Sequence, residues 1–204
     1  MVDSEPLWFL VERGFAAERG GVWTEALARG CTGRGTAFTL RTMSETFGFA
    51  VDVTNDTEAI MDAFLLRLGE LRLKPGCVEL LDAARGLPIA VASSSPLRLI
   101  RAVLDRFALT DRFAAVVSGE SVASPKPAPD IFLRAAAALG VAPLHCAVCE
   151  DSLAGATAGR AAGMFVIAVP EGHLEGRGFE AVADRIVPDL LAARASLTLP
   201  ERAT

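Results

Sequence analysis

The run Cys146-Ala-Val-Cys149, followed at once by Glu150, Asp151 and a segment bearing Gly155, Gly159 and Gly163, restricts the fold of this chain more than any other stretch. A short apolar run that ends in two acids and passes straight into small residues reads as strand, acidic tip and helix. In an open α/β sheet, ligands bind outside the carboxyl ends of the strands, so Glu150 and Asp151 stand where a cation or a phosphate can reach them. Glycines four apart share one helix face. Each interior helical Gly costs about 1 kcal/mol against Ala, so their presence predicts a close approach of that helix to the sheet. The acids also have a plainer use, because Asp151 or Ser152 can cap the helix by accepting from its free N–H groups.

The rest of the chain divides at Lys74-Pro75-Gly76. Before it, from Pro6 to about Leu73, the apolar spacing is helical throughout (Leu7, Leu10, Val11, Phe15; then Ile60, Phe64, Leu65, Leu68), with a break at Cys31-Thr-Gly-Arg-Gly35. After it, segments alternate. Val78 to Ala84 is a helix, and Leu87 to Ala92 is apolar on both faces, as a buried parallel strand requires. Pro96 to Phe107 carries one apolar helical stripe. Phe113 to Val117 is a strand, 123–130 a proline-stiffened loop from which Pro127 or Pro129 opens the helix Ile131 to Leu139. Met164 to Val169 and Arg185 to Val187 are further strands, a helix runs through Leu190 and Leu191, and Pro200 to Thr204 form a loose tail. Strands alternating with helices predict a parallel, doubly wound sheet.

Composition closes off other classes. Hydrophobic residues are 51% of the 204, enough for a substantial core, and the net charge of −5 opposes a nucleic-acid partner, which needs a basic face. No run approaches membrane-spanning length, and the acidic amino end lacks the features of a signal peptide. The expectation is a cytoplasmic protein, monomeric, with neither nucleic acid nor membrane as partner. Cys31, Cys77, Cys146 and Cys149 do not make a disulfide framework. With only His145 and His173 as imidazoles, Cys146 and Cys149 are read as buried strand thiols rather than as a zinc or redox pair.

Three polar positions follow three core segments: Ser93, Lys126 and the pair Glu150/Asp151. A hydroxyl, an ammonium and carboxylates at one edge of a parallel sheet suit a phosphate with Mg²⁺, because magnesium takes few carboxylates and keeps its water. Each alone has a bland reading, as a turn serine, a solvated loop lysine or a helix cap; their order along the chain joins them.

On these residues the chain resembles the haloacid dehalogenase-like phosphohydrolases with a helical cap, the subgroup of β-phosphoglucomutase and the hexose- and hexitol-phosphate phosphatases. Ala92-Ser93-Ser-Ser-Pro96 is similar to that family's second motif, Ser124-Pro-Lys126-Pro-Ala-Pro-Asp-Ile-Phe132 to its third and Cys149-Glu150-Asp151-Ser-Leu-Ala-Gly155 to its fourth. The resemblance implies a Rossmann-like α/β core, its first and central strand missing, with an α-helical cap. It divides the chain into a motif remnant at 1–5, a cap at 6–73 and a core at 74–204. It implies Ser93, Ser94 and Lys126 at phosphate, Lys126 and Ser93 in catalysis, Asp151 and Glu150 at Mg²⁺, and Arg34 of the cap toward substrate. The implied activity is hydrolysis of a small phosphorylated metabolite, a sugar or polyol phosphate, through an aspartyl-phosphate.

One departure stands out. Val2-Asp-Ser-Glu-Pro-Leu-Trp8 is similar to the segment after the family's first motif, and the Asp-x-Asp-Gly ahead of it, with nucleophile and acid/base, is absent. Covalent catalysis of that kind needs its carboxylate. The chain as it stands is therefore expected to be inactive, with its natural start upstream of Met1, where the codons decide the matter. The alternatives are a non-catalytic remnant that binds a phospho-ligand and a phosphosugar mutase. A receiver-type signalling domain fails on the helical bundle at the amino end.

Overall fold

The computed structural model describes residues 1–170 and 178–197; His173 and the tail 200–204 lie outside them. Four helices come first: α1 (Glu5–Ala17), α2 (Glu25–Cys31), α3 (Thr36–Phe47) and α4 (Val53–Leu66). Thr24 and Asp52 start α2 and α4 by accepting from backbone N–H groups, which offsets the orphan donors of a helix end. The helices bury one apolar cluster of Leu7, Val11, Phe15, Trp23, Leu40, Met43, Ile60 and Phe64. The predicted break falls between α2 and α3. The two chain segments leaving this bundle lie side by side, Val2 bridging Leu73 antiparallel, with Asp3 N donating to Arg72 O and Lys74 N to Met1 O.

From Cys77 onward helices and strands alternate as expected: α5 (Cys77–Ala83), β1 (Ala90–Ser93), α6 (Leu97–Arg106), β2 (Ala115–Ser118), α7 (Asp130–Leu139), β3 (Ala147–Glu150), α8 (Leu153–Ala161), β4 (Phe165–Ala168), β5 (Arg185–Ile186) and α9 (Leu190–Ala195). β1 with β2, β3 with β4 and β4 with β5 all pair parallel. Helices α7 and α8 cover one face, with Ile131, Phe132 and Ala158 packing on Val117 and Val148, and Leu81, Ile100, Leu104 and Leu190 of α5, α6 and α9 pack on Val91 at the other. Full burial of a side chain such as Ile131 or Leu104 contributes about 1.5–3 kcal/mol. Helix α6 also joins the bundle to the core, because Leu99 packs among the bundle residues while Ile100 and Leu104 face the sheet.

The sheet is in two pieces. β1 pairs with β2, and β3 with β4 and β5, but among the described residues no backbone hydrogen bond joins β1 to β3. This is the α/β core without its central strand that the sequence predicts.

Three details differ from expectation. β1 begins at Ala90 rather than Leu87, because Leu87 belongs to the turn after α5, where its N–H bonds Ala84 O, and Pro88 has no N–H to give a ladder. Gly163 is not inside the glycine helix: it follows α8 at φ +74°, a left-handed conformation that suits Gly as the chain turns into β4. Neither Cys146 nor Cys149 is buried, since β3 lacks a neighbour on one side. Solvent reaches Cys149 through the cleft beside β3, yet the surrounding protein desolvates its thiol and pushes it up to about 11. The close approach of α8 is real: a Cβ on Gly159 would stand 3.1 Å from Val166 and 3.3 Å from Val148.

Candidate functional site

The cleft between β1 and β3 continues under the bundle as one cavity of about 380 Å³. Its core walls are Ala90 to Ser95, Lys126 and Cys149 to Ser152; its roof includes Glu5, Trp8, Glu12, Thr36 and Thr39. Ser93, Lys126, Glu150 and Asp151 are thus brought to one place, from two strand ends and one loop.

Lys126 holds this place together. The proline loop delivers its ammonium inward until the residue is only 6% exposed. Its Nζ donates to Ala92 O at 3.2 Å and to Glu150 Oε1, so that it spans the two pieces of the sheet, and it lies 4.8 Å from the Phe132 ring centre. An ammonium has three N–H groups; among the described residues two of them have acceptors. Both oxygens of Glu150 have partners, since its Oε2 accepts from Ser152 Oγ at 3.0 Å. Ser152 is the N-cap of α8, accepting from Gly155 N at 3.0 Å. Of the two readings of the acidic tip, capping thus falls to Ser152, and Asp151 is released from it.

Asp151 accepts at Oδ2 from Lys74 Nζ at 2.7 Å, and among the described residues Oδ1 has no hydrogen-bond partner. Burial works against its charge, but Lys74, the Met1 amino group and Lys126 together hold the carboxyl below its usual range. Sequence reasoning passed over Lys74 by treating Lys74-Pro75-Gly76 as punctuation only. Its signal was a cation placed where the chain crosses from bundle to core.

Ser93 lines the cavity and its Oγ accepts from Ser95 N at 3.2 Å, fixing the turn after β1. Ser94 instead donates to Gly33 O at 2.9 Å, tying that turn to the break between α2 and α3. Gly33 touches the acidic tip as well: at φ +78° a Cβ there would lie 2.6 Å from Ser152 Oγ. The break therefore meets the site through Gly33. Arg34 is exposed and does not line the cavity; its guanidinium stacks 3.6 Å from the centre of the Phe38 ring.

The tip leaves no room at Gly155, where an added Cβ would collide with the Glu150 carboxyl. Glu150 cannot yield, being held by Lys126 and Ser152. G155A should therefore destabilise the protein by about 1–3 kcal/mol, as overpacking does. Gly14 of α1 has open space at its Cβ, so G14A should instead stabilise by up to about 1 kcal/mol. Urea midpoints check the pair, and shifts of the same sign would remove the steric account.

Glu12 is a second group the sequence reading missed. It falls on the apolar face of α1 between Val11 and Phe15, where an acid is unexpected. It is 8% exposed, and its Oε2 accepts from Trp23 Nε1 at 2.9 Å. Burial pushes its carboxyl from 4.5 to about 7, the indole N–H opposing and the Glu5 charge adding to the rise. Across that window the folded chain binds more protons than the unfolded one, so stability falls as pH rises from 4.5 and the penalty is complete above 7. It is on the order of 3 kcal/mol. E12Q, neutral throughout, should flatten stability between about pH 5 and pH 8 in urea melts; an unchanged slope would assign the dependence elsewhere.

A two-sided parallel α/β core with its polar strand tips gathered under a helical bundle is a Rossmann-like architecture, which receives ligands at this edge. The chain belongs to the haloacid dehalogenase-like hydrolases, whose family description matches residues 15–163. It is 40% identical over 143 residues to Protein CbbY of Rhodobacter capsulatus, covering 67% of this chain and 62% of that protein, less than two thirds of its length. It is 32% identical over 189 residues to Hexitol phosphatase B of Escherichia coli (strain K12), covering 83% and 79%. Among solved structures, CbbY from Rhodobacter sphaeroides in complex with phosphate superposes with a TM-score of 0.83 at 25% identity, over 94% of this chain and 90% of that one. No helix among the described residues is long and apolar enough to cross a membrane.

Proposed function

We propose that this chain forms the phosphate-handling body of a phosphatase for sugar or polyol phosphates, completed by a strand that seats between β1 and β3 and presents the attacking carboxylate. The observation that carries this reading is Lys126, a buried ammonium that bridges Ala92 O and Glu150 across the cleft between the two pieces of the sheet. A hexitol phosphatase among the relatives and a phosphate complex of a structural neighbour support the substrate class.

In this reading Ser93 donates to a phosphate oxygen, Ser94 anchors the turn that carries it, and the remaining N–H of Lys126 neutralises phosphate charge. The leading carboxylate of the inserted strand attacks phosphorus as the ester oxygen leaves with a proton from the strand's second Asp, and that Asp takes a proton back from the water that cleaves the acyl phosphate and releases inorganic phosphate. Magnesium is the metal the donor set fits. Among the described residues no group of three His, Cys, Asp or Glu side chains converges, whereas Mg²⁺ needs only one or two carboxylates beside phosphate and water. Asp151 Oδ1, which has no described partner, is the first such donor in this reading, and Glu150 beside it is the second. When bound, the ion supplies positive charge against the phosphate oxygens. Arg34 in this reading swings off Phe38 to meet the substrate, and the protein works as a cytoplasmic monomer.

The test is phosphate release from a panel of hexose, hexitol and p-nitrophenyl phosphates with Mg²⁺, by the chain alone and with an Asp-x-Asp-Gly strand joined ahead of Met1. Hydrolysis only with the strand is the expected result. Ligand binding without hydrolysis in both would mean a non-catalytic binding protein, and transfer to a second sugar phosphate would mean a mutase.

A further inference from the structure

The roof of the cavity carries a feature that the phosphate chemistry does not use. Glu12 Oε2 is occupied by Trp23, itself 2% exposed and set edge-on against Phe47. No described residue donates to Glu12 Oε1. Every described side-chain nitrogen or oxygen shut off from solvent has a partner, so Oε1 opens on the cavity that Glu12 lines. Thr36 and Thr39 of the bundle and Lys126, Ser93 and Asp151 of the core line this same cavity. A carboxyl buried on an apolar helix face costs stability unless its second oxygen gains a hydrogen bond.

We infer that Glu12 is the hydroxyl-binding residue of the substrate pocket, its Oε1 accepting from a hydroxyl of the polyhydroxylated chain of a phosphate ester whose phosphate lies at Lys126 and Ser93. The inference rests on the phosphate-ester reading above and adds to it which residue selects the esterified alcohol. Trp23 fixes the carboxyl in one orientation, so little freedom is lost when a hydroxyl docks. Titrating near neutrality, the carboxyl serves both as acceptor and as donor, which matches hydroxyls that do both.

Calorimetric titration with inorganic phosphate, propyl phosphate and sorbitol 6-phosphate tests this. The wild-type chain should bind sorbitol 6-phosphate about tenfold or more tightly than propyl phosphate, the effect of one hydrogen bond to a carboxylate. E12Q and E12M should lose that preference while holding inorganic phosphate and propyl phosphate as before; thermal melts and Trp fluorescence confirm that both fold. A preference that survives both substitutions, or equal weakening of all three ligands, overturns the inference. Equal wild-type affinity for the two esters overturns it alone, leaving the phosphatase reading intact. Failure of the wild-type chain to bind any of the three overturns both.

Discussion

Replacing Lys126 by Met should cost about 3–5 kcal/mol of stability, the penalty for removing one partner of a buried ion pair and leaving the other charge uncompensated. The Lys126 and Glu150 side chains are 5% and 10% exposed, so water cannot take over the lost contact. The same substitution strips the Ala92 carbonyl of its donor and ends the ammonium contact with Phe132. Against a typical total of about 5–15 kcal/mol, the variant should be near unfolding at room temperature. E150Q alone leaves an ammonium without its counter-charge and should lose a comparable amount. The double variant K126M/E150Q should recover most of either loss, because two neutral groups of similar size replace two charges and Gln keeps an oxygen for Ser152 Oγ. Urea unfolding of the four proteins, compared at constant m-value, gives the coupling directly. A K126M loss below about 1 kcal/mol, the range of exposed pairs, would mean that the pair is solvated and cannot be the brace described above.

The sequence showed the core and left its contacts dark, for identifiable reasons. Apolar runs such as Ala147 to Cys149 and Phe165 to Ala168 declare themselves because a buried parallel strand must be apolar on both faces. Pro129 precedes α7 and Ser152 caps α8, as short-range helix chemistry requires. Even the division of the sheet was legible, through the resemblance rather than through any local pattern. What stayed dark was pairing across distance. That Glu150 answers Lys126 while Asp151 answers Lys74, 77 positions away, is set by how the loop and the linker lie over the tip, and no local pattern encodes it. Glu12 was hidden by its setting, an acid beside an apolar stripe whose partner, Trp23, is reached only after α1 turns back. Nor does any local pattern show that Ser94, in the cavity wall, is tied to Gly33 O or that Arg34 lies on the Phe38 ring.

Supplying the central strand should change the protein more than any point substitution. A run of about five β-branched residues ending in Asp-x-Asp-Gly, joined ahead of Met1, would lie between β1 and β3 and pair with both. Up to about ten new backbone hydrogen bonds, each worth about 1 kcal/mol net, are roughly offset by ordering five residues at about 1–2 kcal/mol each. The surplus comes from burying the strand's side chains against Val91, Val148 and the facing helices, about 1.5–3 kcal/mol apiece, so the extended protein should gain several kcal/mol. Amides on the inner edges of β1 and β3 should become protected from hydrogen exchange. Phosphate-ester hydrolysis should rise from background to the ordinary enzyme range, about 1–10³ per second. The same strand with Asn for its leading Asp should keep the gain in stability and lose the activity, which separates the structural from the chemical contribution. If the extended protein unfolds at the same urea concentration and the β1 and β3 amides exchange as before, the cleft is not a seat for a strand, and Lys126 guards some other ligand.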